Sequence, residues 1–143
     1  MPRCIISIRC FVAMCAVASL AGCAAHTAAS CPPGSGSPVE VFTLFFGTAI
    51  PRRGDLTDQE WRTFLDTAVS ANLPNGYSVF DANGGWTNPI SHKTIKEGTK
   101  VLLVALPDVP ASLAAINRVR VGYQIMFQQQ MVGMTVENAC GEF

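Results

Sequence analysis

Five side chains in this sequence are of the types that hold a polar ligand or move a proton: Asp81, Trp86, Glu97, Lys100 and Tyr123. Asp81 and Trp86 end one extended run, while Glu97, Thr99 and Lys100 lead into the next, so a hairpin between the runs gathers them at one sheet edge. An indole wall beside paired charges suits a pocket. The same residues also read as a cross-strand ion pair beside a packed indole, holding a hairpin in register. The structural reading is favoured, because ion-pair networks outnumber sites that tune a proton affinity. A closed cavity into which Asp81, Lys100 or Tyr123 points would favour the ligand site.

Other chemistries lack their parts. His26 and His92 are far apart, the cysteines have no CxxC spacing, and no carboxylate cluster joins them, so no metal site is expected. No strand–Ser–helix elbow or Cys–His pairing is present, so no catalytic residue is assigned. Asn83-Gly84-Gly85 precedes an extended segment and not a helix start, so it is no phosphate loop, and no cofactor is expected. Arg3 and Arg9 lie near the N-terminus and all ten acidic residues lie beyond Cys23, which leaves the chain after Cys23 at about −2. Nucleic acid is excluded as a partner, since no basic stripe can neutralise phosphates. Arg52-Arg53 reads as a solvated loop, two charges being a weak basic patch.

The N-terminus suggests where the protein works. A short basic start is followed by Cys10–Leu20, an apolar run too short to span a bilayer, and then by Leu20-Ala21-Gly22-Cys23. These four residues resemble the lipobox of bacterial lipoproteins, which implies a signal peptide over 1–22, lipidation of Cys23 and cleavage before it. Several acyl chains on one residue anchor stably. The expected location is exported and membrane-anchored, on the periplasmic face of a bacterial membrane or the outer cell surface, with the membrane as a partner through the lipid. Residues 23–38 are rich in Ala, Ser, Gly and Pro and read as a flexible linker, with His26 a solvated part of it.

The elements that must position the polar group follow from apolar periodicity. Lys100–Pro107 encloses six consecutive apolar residues shut off by a proline, a strand buried on both faces. Val39–Phe46 is apolar on both parities too and belongs beside it in mid-sheet. Thr57-Asp58-Gln59-Glu60 is a capping box opening a helix whose stripe is Trp61, Phe64, Leu65, Ala68 and Val69, closed by Pro74-Asn75-Gly76. Tyr77–Ala82 is a strand that bends or bulges at Asn83-Gly84-Gly85 and returns as a hairpin through Thr94–Thr99. A second helix runs from Pro110 to Gln128 with Leu113, Ile116, Tyr123 and Phe127 on one side, and a last strand covers Met131–Glu137. Strand, helix, strand, strand, helix, strand is the split βαβ order of ferredoxin-like domains. The expected fold is therefore α+β over 39–143, a four-stranded antiparallel sheet with both helices on one face.

That order puts the end of strand four beside the start of strand one. Cys140 and Cys31 are the two thiols left in an oxidising compartment once the leader is gone and Cys23 is lipidated, so a disulfide between them is expected. The competing outcome is a disordered Cys31, with both thiols free or paired between molecules. A sheet apolar on both faces predicts a homodimer through the face away from the helices.

Over residues 39–143 the chain also resembles the bacterial lipoproteins grouped as domain-of-unknown-function family 3574. The resemblance rests on Phe46-Gly47, Pro51 and Gly54, then Trp61 with Phe64-Leu65-Asp66, Pro74-Asn75-Gly76, Asp81, Gly85 and Trp86. It continues through Glu97-Gly98-Thr99-Lys100-Val101-Leu102, Tyr123, Phe127-Gln128-Gln129 and Cys140. Gly98 and Gly122 depart from it, standing where a larger residue and a helix former are expected. The resemblance implies no activity and no site residues. The sequence reading is a non-catalytic, lipid-anchored binding or assembly module. Its alternative is a small-molecule binder or enzyme with a pocket on the open sheet face or at a dimer interface.

Overall fold

The computed structural model describes residues 30–87 and 91–142. The leader, Cys23, His26 and residues 88–90 lie outside them. Strand β1 (Ser37–Gly47) is followed by a two-residue arm pair, β2 (Ala49–Ile50) and β3 (Gly54–Asp55). Helix α1 (Asp58–Phe64) runs on through a π-helical turn, Leu65–Val69, into the short α2 (Ser70–Asn72). Then come β4 (Ser78–Thr87), β5 (Thr94–Pro107), α3 (Pro110–Phe127) and β6 (Gly133–Gly141). The sheet order is β4-β5-β1-β6, with every neighbour antiparallel. This is the split βαβ arrangement, and the two strands apolar on both parities are its central pair.

One face of the sheet is the core. Phe42, Leu44 and Phe46 of β1 face the helices with Leu102, Val104 and Leu106 of β5, all buried. The register sets Phe42 against Val104 and Leu44 against Leu102. Over them lie Trp61, Phe64 and Val69 from the first helical segment and Ile116, Val119, Tyr123 and Phe127 from α3. Four rings form the centre: Phe46 lies 4.7 Å from Tyr123 and 5.7 Å from Phe64, both edge-on, and 5.5 Å from Trp61. Edge-on pairs at such spacing gain electrostatic attraction beyond their burial.

The capping box forms: Thr57 accepts from the Glu60 amide while the Glu60 carboxylate accepts from the Thr57 amide. The helix does not stay regular. Thr63 and Thr67 each donate a hydroxyl to the carbonyl four residues back, competing with the backbone ladder, and the Ser70 amide turns to the Leu65 carbonyl.

Several expectations are corrected. Leu113 is 43% exposed, and the buried stripe of α3 is Ser112, Ala115, Ile116, Val119, Tyr123 and Phe127. Small residues at 112 and 115 let that end of the helix approach the sheet. No bulge interrupts β4, which pairs continuously with β5 from Ser78↔Leu103 to Thr87↔Thr94. Gly84 instead makes room across the strands, since a Cβ there would lie 2.5 Å from the Thr99 hydroxyl oxygen. The last strand begins two residues late because Val132 is drawn into the core and its carbonyl is held by Arg120. It also runs to Gly141, pairing Pro38↔Cys140 and Ser37↔Gly141.

The expected disulfide is present, Cys31 to Cys140, with Cα atoms 5.7 Å apart. The linker is thus not free up to residue 38. Cys31 is bonded, the Ser35 amide and hydroxyl both donate to the Pro32 carbonyl, and β1 starts at Ser37.

Candidate functional site

The five residues read as a polar group do not converge. Lys100 lies on the helix side of β5, opposite Asp81 and Phe46 in register, and its ammonium pairs with Asp81. Asp58, at the start of α1, stands 3.8 Å from the same ammonium. Both carboxylates are largely solvated, so this is a helix start and an edge strand tied through one lysine. Trp86 pairs with Ile95 farther along the hairpin, and both are partly exposed. Tyr123 points into the aromatic core, where its hydroxyl donates to the Gly47 carbonyl at 2.8 Å. Burial, then the charges of Glu97 and Glu60, push that phenol well above its ordinary range, so it stays neutral and a donor.

Glu97 and Tyr123 do share one neighbourhood, the point where the chain leaves β1. The Glu97 carboxylate accepts from the Ala49 amide at 3.4 Å, and the Gln129 side-chain amide donates to the Ala49 carbonyl at 2.7 Å. Between them the Thr48 hydroxyl and amide both donate to the Gly98 carbonyl, at 3.0 and 2.9 Å. Two glycines let these contacts come close. A Cβ on Gly47 would lie 2.9 Å from the Glu97 carboxylate, and one on Gly98 would lie 2.7 Å from the Thr48 hydroxyl. Residues 47–49 are therefore clamped from β5, α3 and the loop after it. The clamp aims the β2–β3 arm. It also gives a physical reason for Gly98 in this chain, where the resemblance leads one to expect a larger residue.

The arm and the end of α3 enclose a depression of about 520 Å³. Its floor is Ile50 and Phe127, its rim Arg52, Arg53, Gln59 and Gln128. Arg53 is paired with Glu60. That hydrogen bond first, and those from Thr57 next, hold the Glu60 carboxyl down at about 2. A second depression, of about 880 Å³, opens at the near end of the sheet between Val39, Val41, Ser78, Leu103 and the Gly34–Gly36 turn. None of Asp81, Trp86, Glu97, Lys100 and Tyr123 lines either depression.

The sheet face away from the helices is uncovered in the single chain. By register it carries Val41, Thr43 and Phe45 of β1, Val101, Leu103 and Ala105 of β5, and Phe80 of β4. Phe45 is 40% exposed, Leu103 39% and Phe80 55%. The apolar parity was legible in the sequence, but Phe80 as its most open member was not, because an edge-strand aromatic carries no signal of which face is covered. The described residues contain no cluster of three metal-binding side chains, and no helix among them is long and apolar enough to cross a membrane.

Two solved structures share the fold. A phage SAM lyase in complex with S-methyl-5'-thioadenosine is 12% identical, with a TM-score of 0.57 over 76% of this chain and 93% of that one. The same description in the apo state gives 12% identity and a TM-score of 0.52, over 80% and 98%. At such identity the likeness is one of fold. No curated protein sequence matches. The match that reaches into the clamp, the rim and the disulfide is to a family model covering residues 42–143, and the chain belongs to that family, described as Protein of unknown function (DUF3574).

Proposed function

We propose that this protein is a lipid-anchored, exported, non-catalytic binding or assembly module of the cell envelope, which works as a homodimer through its open sheet face. The observation that carries the reading is the apolar row Phe45, Val101 and Phe80, with Leu103 in the next row, on a face that no helix covers. The four staggered strands, β1 of 11 residues, β5 of 14, β4 of 10 and β6 of 9, spaced about 4.8 Å apart, present roughly 700 Å². That is about what each partner buries in a stable complex. A second copy is the occupant chosen, because the apolar centre of this face, Phe45, Val101, Leu103 and Phe80, can pack against its own copy, with Glu137 opposite Val41 at the β6 edge. The anchor rests on Leu20-Ala21-Gly22-Cys23. Sedimentation at micromolar concentration is expected to show a dimer, and Phe45→Lys with Leu103→Lys a monomer. A wild-type chain that sediments as a monomer refutes the assembly reading, and lipid labelling that persists in Cys23→Ala refutes the anchor.

A second reading is supported by the depression of about 880 Å³ at the near end of the same face, within the size range of small-molecule sites. The fold neighbour described in complex with S-methyl-5'-thioadenosine supplies the probe. A rise in thermal midpoint with that nucleoside, lost in Leu103→Lys, supports a ligand site. No shift at millimolar nucleoside removes this reading and leaves the dimer untouched.

A further inference from the structure

The 520 Å³ depression between the β2–β3 arm and the end of α3 has the parts of a binding site that neither the family nor the assembly reading uses. Its floor is apolar, with Ile50 and Phe127 nearly buried and Met126 half-open at the side. Its rim carries two guanidiniums in different states. Arg53 is neutralised by Glu60, whereas Arg52 is the one arginine among the described residues without a hydrogen bond or an ion pair. One uncompensated positive charge therefore stands over an apolar floor. The Gln59 side-chain oxygen accepts from Arg62, which leaves its NH₂ as a further donor on the rim.

The backbone makes Arg52 an unexpected choice. The Arg53 amide donates to the Ile50 carbonyl at 3.2 Å, closing a turn with Pro51 and Arg52 at its two central positions. Arg52 has φ 65°, the left-handed conformation that a turn of this type demands of its third residue. Glycine or asparagine takes that place without strain, and a long side chain does not. Strain of this kind persists where the side chain has a use. Here the clamp on residues 47–49 fixes the arm that carries it.

We propose that this depression binds a small organic monoanion, a carboxylate carried on an aromatic or aliphatic body, with Arg52 holding the carboxylate and Ile50, Phe127 and Met126 covering the body. One net charge on the rim matches one on the ligand, and a guanidinium meets a carboxylate through two parallel hydrogen bonds. The volume suits a body of about ten to fifteen heavy atoms. A dianion without an apolar part leaves the floor unused, and a neutral analogue leaves the guanidinium unpaired.

Calorimetric titration of the full chain with 3-phenylpropanoate tests this. Saturable binding is expected at a Kd of about 0.1–1 mM, the range an eleven-atom ligand reaches. The neutral 3-phenylpropanamide and inorganic phosphate should each bind at least tenfold more weakly. Arg52→Gly should lose the same factor while its thermal midpoint stays level or rises, because glycine relieves the turn, and Arg52→Lys should restore part of the affinity. A structural arginine gives the opposite signature, a lowered midpoint with binding unchanged. Equal binding of acid and amide, equal binding of phosphate, unchanged binding in Arg52→Gly, or no saturable binding up to 5 mM each overturns the assignment.

Discussion

Cutting the Cys31–Cys140 bond removes a cross-link between residues 109 positions apart, almost the whole folded domain. In the chain-entropy account, a loop of that length restricts the unfolded chain by about 4.8 kcal/mol at 25 °C. The native state loses little when the bond is cut, because Pro38↔Cys140 and Ser37↔Gly141 still pair β1 with β6. The full entropic term is therefore expected to appear as lost stability, less whatever order the reduced unfolded chain retains. With a urea m-value of about 1.5 kcal/mol/M, the midpoint should fall by roughly 3 M, as large as the whole stability of many domains of this size. The assay is urea unfolding of the oxidised chain, the same chain in reductant, and Cys31→Ser with Cys140→Ser, followed by tryptophan emission from the buried Trp61. The two measurements without the bond should agree with each other. A fall of less than about 0.5 M would falsify the argument that this bond closes the domain. A large fall in reductant without one in the double serine variant would mean that free thiols, and not the lost loop, do the damage.

Tyr123→Phe removes the donor to the Gly47 carbonyl inside the core and should cost about 1–2 kcal/mol by the same unfolding assay. Gly122→Ala should gain about 0.5–1 kcal/mol, seen as a higher thermal midpoint, since a Cβ there meets only Phe64 at 4.0 Å and the helix loses its most mobile residue. Glu60, held down at about 2 by Arg53 and Thr57, contributes stability that is complete above its unfolded value and is lost as pH falls through about 2. A carboxyl NMR titration should put its midpoint near 2, and Arg53→Ala should move it upward.

The fold was legible because its signals agreed across levels. Two strands apolar on both parities, a capping box and an element order with a single familiar topology all pointed to the same sheet. The disulfide followed from that topology, since it set Cys140 beside the start of β1. The ion-pair reading of the polar group held in Asp81 and Lys100, and its pocket reading failed for a reason that types and spacing cannot express. Tyr123 is apolar over most of its surface, and a ring seated 4.7 Å from Phe46 is worth more to the core than to an open pocket. Lys100 takes the helix-side parity of β5, which turns it toward Asp81 and Asp58 and away from the open face. Arg52 reads from the sequence as a solvated loop residue because nothing local separates a solvated arginine from a strained one; only the turn's hydrogen bond and its positive φ do so.

The same geometry constrains the proposed dimer. The disulfide fixes the near end of the sheet, where Cys31, Ser37 and Gly141 meet, and the clamp lies at the far end of β1. On the anchored reading, the chain from Cys23 to Cys31 reaches at most about 28 Å, fully extended. With the strands upright on the bilayer, the near end faces it and the Arg52 turn stands beyond the length of β1, roughly 35 Å farther out. With both copies upright in this way, the open faces pair with near ends together, so the two-fold axis runs along the strands and each β5 lies parallel to its mate. A head-to-tail pair would place one tether at the far end, out of reach of the membrane. Single cysteines distinguish the two arrangements. Val101 and Ala105 share the open face of β5, four residues or about 13 Å apart. In cell envelopes, Val101→Cys should cross-link to itself and Ala105→Cys to itself, whereas mixed Val101→Cys and Ala105→Cys copies should not join. Cross-linking confined to the mixed pair would show opposed strands, which upright anchored copies do not permit, and would break the link between the upright tether and the sheet face.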